Sequence, residues 1–172
     1  GTIPTTAITI GVMPTYTPTG TAGANDYFEI TGVQLELGSV ATPFARAGGT
    51  IQGELAACQR YYEKSYDQGV APATNVGVNS NGAVKKSPDA TGTYISFGTI
   101  IFQVAKRTTP TITCYNPVTG SQTTPIRTAD NLTNAACDRD AIGQRSFQAN
   151  VSNVSIGAGA QMSFHFTADA EL

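Results

Sequence analysis

The side chains able to do chemistry in this chain are few and scattered: 12 carboxylates, one histidine and three cysteines among 172 residues. Asp138 and Asp140 flank Arg139 in a polar stretch, with Asp130 upstream. Two carboxyl groups held about 5–9 Å apart across a cleft would serve glycoside cleavage, and a set of carboxylate oxygens would hold a hard cation. The spacing matches no calcium loop, and acids in a polar stretch ordinarily face water. A solvated loop steadied by Arg139 is therefore the stronger reading. His165 is the only histidine and sits between Phe164 and Phe166. Without a neighbouring cysteine or a second histidine it makes a poor metal ligand. No serine–histidine–aspartate grouping shows in the sequence, although folding can assemble one, so a structural or surface role is expected of His165. No catalysis, metal or cofactor is expected.

Sugar recognition asks for less. Aromatic faces stack on sugar CH surfaces, amides and carboxylates bond the hydroxyls, and a shallow groove suffices. Tyr115, Asn116, Asn131, Asn134, Asp138 and Arg139 have these chemistries and lie on or beside the irregular stretch 116–146. They are the candidate ligand-binding set; Tyr16 and Tyr27 offer a second aromatic pair. Cys58, Cys114 and Cys137 are odd in number and irregular in spacing, which is no disulfide framework. Reduced thiols are expected for Cys114 and Cys137 in preference to a bridge across the loop between them.

The totals narrow the classes. Charged residues make up only 13% of the chain and the net charge is −2, with no basic run, which argues against nucleic acid. Threonine and glycine abound, which suits a mostly β protein with tight turns. No apolar run approaches the ~20 residues of a membrane span, so no membrane insertion is expected. The first residues show no basic segment followed by an apolar run, so no secretory signal is expected in this stretch.

The elements that must position these residues fall in order. Ile3 to Val12 reads as a strand, followed by a turn-rich segment; Tyr27, Phe28 and Ile30 open a second, continued by the alternating Val33, Leu35 and Leu37. Pro43 and Gly48-Gly49 mark a hinge, after which Ile51, Leu55, Cys58 and Tyr62 recur at steps of four, three and four. That period predicts a helix over 51–66 with one apolar stripe, to be covered either by the chain's own sheet or by another helix. Beyond it, Val76 and Val78 with Asn81-Gly82 and Val84–Lys86 suggest a hairpin. Tyr94–Val104 suggests a central strand, buried on both faces around Ile100-Ile101-Phe102. Ile112–Tyr115 is another strand, turned by Asn116-Pro117 and Gly120. Phe147–Val151 and Val154–Ile156 are two short strands, and Met162, Phe164 and Phe166 mark a half-buried final one. Residues 116–146 are the least regular stretch, and such stretches are often functional.

GVQLELGSVATPF at 32–44, followed by ELAACQRYYEKS at 54–65, resembles the C-terminal region of bacteriophage tail fibre proteins, prophage and tailocin fibres included. AKRTTPTITCYNPVTG at 105–120 and SFHFTADAEL at 163–172 are similar to later segments of the same group, in the same order. The resemblance spans about residues 29–172. It implies a virion protein: a distal fibre tip that contacts the host surface, with bacterial surface polysaccharide or lipopolysaccharide as partner. It implies an antiparallel β-sandwich tip domain with one short N-terminal helix, intertwined as a parallel homotrimer. Residues 1–45 would then be terminal strands and connector of an upstream sandwich module, and 46–172 the helix and tip domain. In such a trimer the stripe Ile51, Leu55, Cys58, Tyr62 would meet its own copies at the axis. The alternative is a structural trimerising cap with recognition located upstream.

Overall fold

A computed structural model of the chain describes residues 15, 17, 29–34, 40, 42–46, 48–77, 79–88, 92–128, 134–156 and 158–171, the side chains of 128 and 153–156 excepted. The chain divides into two compact units, Gly1–Ala45 and Arg46–Leu172. In the first, the Gln34 amide brackets Pro43: Nε2 donates to Thr42 Oγ1 at 3.0 Å, and Oε1 accepts the Ala45 N–H at 2.8 Å. Residues 31–34 are not in a strand. Leu35 and Leu37, and the strands expected over 3–12 and at 27–28, lie outside the described residues.

The second unit is mostly β with one short helix, and every strand pair in it is antiparallel. The elements are α1 (Ile51–Gln59), β1 (Tyr62–Lys64), β2 (Val84–Lys86), β3 (Gly92–Ile101), β4 (Thr111–Tyr115), β5 (Ile126–Thr128), β6 (Asn134–Ala135), β7 (Asp138–Asp140), β8 (Ser146–Ile156) and β9 (Met162–Asp169). Thr50 caps α1, its hydroxyl accepting the Gly53 N–H at 3.0 Å. The helix ends at Gln59, not at 66, because Tyr62–Lys64 pair with Thr167–Asp169. A ladder to a distant strand outweighs local helical period. Tyr62, the last step of the apolar stripe, therefore stands on a strand. Lys64 donates to the carbonyls of Gln68 and Val70.

β9 is the spine. β1 and β2 line one of its edges, β4 and β5 the other, and β6 pairs outside β5. A smaller sheet runs β3-β8-β7. Phenylalanine rings join the two: Phe97 meets Phe164 edge-on at 4.9 Å between centroids, and Phe147 meets Phe166 at 5.1 Å. Around them Ile95, Ile112, Ile126, Val151 and Met162 complete a buried cluster.

Four other expectations change. Residues 146–156 form one strand, β8, with 146–152 and 156 paired to β3. β3 is not buried on both faces: it pairs only with β8, and Ile101 is 73% exposed. Val78 of the expected hairpin lies outside the described residues, and Val76 and Gly77 are not in a strand: their N–H groups go to the Pro117 carbonyl at 2.9 and 3.1 Å. Gly82 still turns the chain at φ +74, pressed against the Ser65 carbonyl where a Cβ would collide. The stretch 116–146 carries β5, β6 and β7 and buries Ile126, Ala135 and Cys137.

A buried ion pair ties the helix end to both sheets. Glu63 on β1 accepts from Lys106 Nζ at 2.6 Å, and its two oxygens take the Gln103 N–H at 3.1 and 3.2 Å. The same ammonium donates to the Gln59 carbonyl and lies 4.9 Å from the centre of the Phe102 ring. Removing one partner strands a buried charge, a loss of about 3–5 kcal/mol, whereas apolar replacement of both is often neutral. Glu63→Ala is expected to lower the denaturant midpoint by a shift of that size, and Glu63→Leu combined with Lys106→Met to recover most of it. Equal losses in the single and double variants would contradict the pairing.

Candidate functional site

β9 places Met162, Phe164, Phe166 and Ala168 in the apolar cluster, and its other side chains, Ser163, His165 and Thr167, are buried as well. Alternation predicts that those three face water. They do not, and at His165 the cover is the segment 65–82. Tyr66 lies flat on His165, ring centroids 4.0 Å apart and planes 16° from parallel, and its hydroxyl accepts the Ala73 N–H at 3.3 Å. Ser65 Oγ stands 2.9 Å from His165 Nδ1, and Ser80 Oγ stands 2.8 Å from Nε2. Ser65 Oγ is itself fixed by the Phe166 N–H at 2.9 Å.

Burial pushes the His165 pKa down from 6.5 to about 4; the Asp67 carboxylate opposes the shift and the Lys85 ammonium adds to it. The ring is thus neutral at pH 7, with one nitrogen donating and the other accepting. One serine hydroxyl donates to it and the other receives. Ser80 and His165 have the separation of a nucleophile and its base, but the second ring nitrogen meets a serine where a triad holds a carboxylate.

A cleft of about 310 Å³ opens beside this arrangement, lined by Tyr66, Asp67, Asn79, Ser80, Asn81 and His165 among others. Nothing local in the sequence announces it, since Ser65 and Ser80 reach His165 from 100 and 85 positions away. The one available signal is a histidine on a strand otherwise destined for a core.

Five of the six residues named as a sugar-binding set are among the described residues. Tyr115 and Asn116 are buried. Asn116 holds its own turn, Oδ1 accepting from the N–H of Val118 and Thr119 and Nδ2 donating to Thr124 O and Asn134 Oδ1. Asn134 is brought to Asn116 and also accepts from Arg127 at 3.2 Å. Asp138 accepts from the Ser152 hydroxyl at 2.6 Å, and Arg139 donates to the Ile112 carbonyl at 3.1 Å. Asn131, like Asp130, lies outside the described residues. Asp140 accepts from Asn150 Nδ2 at 2.8 Å. No group of three or more acids, histidines and cysteines among the described residues is placed to hold a metal.

The helix stripe is assembled in part. Ile51, Leu55 and Cys58 lie on α1 and Tyr62 on β1; no α1 residue is buried, and Ile51, Leu55 and Tyr62 are 63, 40 and 36% exposed. The chain's own sheet does not cover the stripe. Cys114 and Cys137 are buried free thiols; their mutual hydrogen bond, together with burial, pushes the Cys114 pKa up. No helix among the described residues is long and apolar enough to cross a membrane.

No family model and no curated protein matches this chain. Among solved structures, the Pseudomonas phage phi297 tailspike gp61 is similar at 10% identity and a TM-score of 0.38, over 52% of this chain and 14% of the tailspike chain. A likeness at that level carries neither fold nor function across.

A depressed histidine pKa makes protonation favour the unfolded chain. The stabilisation is present in full above 6.5 and is lost as pH falls toward about 4. Nuclear magnetic resonance of the single imidazole is expected to show titration near pH 4 in the folded protein, with unfolding midpoints falling across the same window. Titration near 6.5 would mean the ring is not enclosed.

Proposed function

We propose that this chain is the distal tip region of a bacteriophage tail fibre, a parallel homotrimer that attaches the virion to its bacterial host by binding a surface glycan such as lipopolysaccharide, without cleaving it. The observation carrying the reading is the uncovered stripe of Ile51, Leu55, Cys58 and Tyr62. An exposed apolar stripe on a short helix is costly to leave in water. Three parallel copies about one axis bury it symmetrically, each stripe against its own twins. The fibre resemblance of 32–44, 54–65, 105–120 and 163–172 supports the same arrangement.

The two sheets are read here as the layers of a β-sandwich, the Phe97–Phe164 and Phe147–Phe166 contacts filling the space between them. Trimerisation supplies what a shallow sugar site lacks. Once one copy is bound, the others meet their sugars at high effective concentration, so overall attachment exceeds single-site affinity by roughly 10²–10⁴-fold. Attachment without hydrolysis is favoured because Ser65, and not a carboxylate, meets the second His165 nitrogen, and because Asp138 and Asp140 are engaged with Ser152 and Asn150.

Native mass at two concentrations tests the assembly. The expected result is three chains' mass for the wild type and one for Leu55→Asp, with adsorption to host cells lost in the variant. A wild type of single-chain mass in dilute buffer, or full adsorption by a proven monomer, would refute the reading.

A further inference from the structure

The cleft over His165 has a property the fold does not need. Asp67, Asn79 and Asn81 are exposed, line the cleft together and make no side-chain hydrogen bond to any described residue. Three uncommitted polar side chains converge on a concavity whose floor is hydrogen-bonded throughout. At about 310 Å³ the space lies at the lower end of the range of small-molecule sites.

We infer that this cleft is the glycan-binding site and that it takes one neutral pyranose unit, its hydroxyls bonded by Asp67, Asn79, Asn81 and the Ser80 hydroxyl. The inference rests on the glycan-attachment reading above and moves its contacts from residues 115–139 to this cleft. Two features choose the ligand class. The carboxylate of Asp67 accepts from hydroxyls and repels an acidic sugar. The Ser80 hydroxyl is adaptable. With the proton on His165 Nε2, the ring donates to Ser80, whose own O–H is free for the ligand. With the proton on Nδ1, Ser80 donates to the ring and offers its lone pairs outward. A partner able to donate or accept in turn suits a sugar hydroxyl, which does either, better than an ammonium or a phosphate, which do only one.

His165 is the only histidine in the chain, so ¹⁵N-histidine labelling reports this one site. The probes are the methyl pyranosides of glucose, galactose, mannose and N-acetylglucosamine, with methyl glucuronide as the acidic control, added to the full chain at millimolar concentration. At least one neutral glycoside is expected to shift the imidazole nitrogens saturably and the glucuronide to leave them unmoved. Asp67→Asn and Asn81→Ala, both at the exposed rim, are expected to weaken that binding at least tenfold while unfolding midpoint and native mass stay at wild-type values. No shift with any neutral glycoside, or undiminished binding in both rim variants, overturns the inference. Adsorption of the same proteins to host cells separates the two claims. Wild-type adsorption that persists in both rim variants removes the cleft and leaves the attachment reading standing. A saturable shift with no adsorption leaves the cleft a sugar site and removes attachment.

Discussion

β9 is paired along both edges and buried on both faces, and the rest of the second unit depends on that. Its partners are short: β1, β2 and β5 have three residues each and β4 has five. Strands of that length are not stable alone or as isolated hairpins. Each gains its hydrogen bonds from a template eight residues long, two partners to an edge. The template lies near the end of the chain, so every pairing spans a wide sequence separation and closes a long loop. Such contacts form late and are secured by packing more than by local preference.

Within the second unit, residues from two of the segments that carry the fibre resemblance are one another's partners. Glu63 of CQRYYEKS meets Lys106 of AKRTTP in the buried ion pair. Arg107 donates its N–H to the Arg60 carbonyl and lays its guanidinium 5.4 Å from the centre of the Tyr61 ring. Asn116 and Gly120 of YNPVTG close a turn whose Pro117 carbonyl takes two N–H groups from the covering loop, and Gly120, at φ +70, abuts the Ala73 carbonyl where a side chain would not fit. These segments lie far apart in sequence and meet in one structural knot. Their distinctive residue types serve burial and hydrogen bonding within the fold. Residues of this kind build the scaffold through partners distant in sequence, not through neighbours.

That distinction decides what could be read in advance. The mostly β character, the start of α1, β2, β4 and the apolar side of β9 follow from period and turn chemistry, which act between neighbours. The end of α1 does not: residues 60–66 keep a helical period, and only the distant partner at 167–169 makes a strand of Tyr62–Lys64. Ile101 belongs to an apolar run yet lies exposed, because hydropathy cannot tell an edge strand from a central one. The cleft was the least legible feature. Ser163, His165 and Thr167 carry the polarity of a wet face yet are buried, His165 under a segment arriving from 65–82. The six residues chosen for sugar chemistry had suitable side chains, but four of them, Asn116, Asn134, Asp138 and Arg139, are occupied with intramolecular bonds. Residue type alone does not say whether hydrogen-bonding capacity is spare.

Spare capacity and its absence are what separate the two faces of β1. Glu63 points inward and has its carboxylate filled by Lys106 and Gln103, while Tyr62 beside it points out with the α1 stripe. Ser65, immediately after the strand, continues its edge by donating its N–H to the Phe166 carbonyl at 3.0 Å and touches His165. One short extended segment therefore borders the proposed axis at one end and the floor of the cleft at the other. Its register is fixed by β9 and cannot slip by one residue without turning Glu63 to water and Tyr62 into the core. If three copies share the axis, the clefts inherit its geometry through this rigid link. Multivalent attachment to a repeating surface polymer needs that fixed spacing, because the gain from tethering disappears when the sites cannot be engaged together.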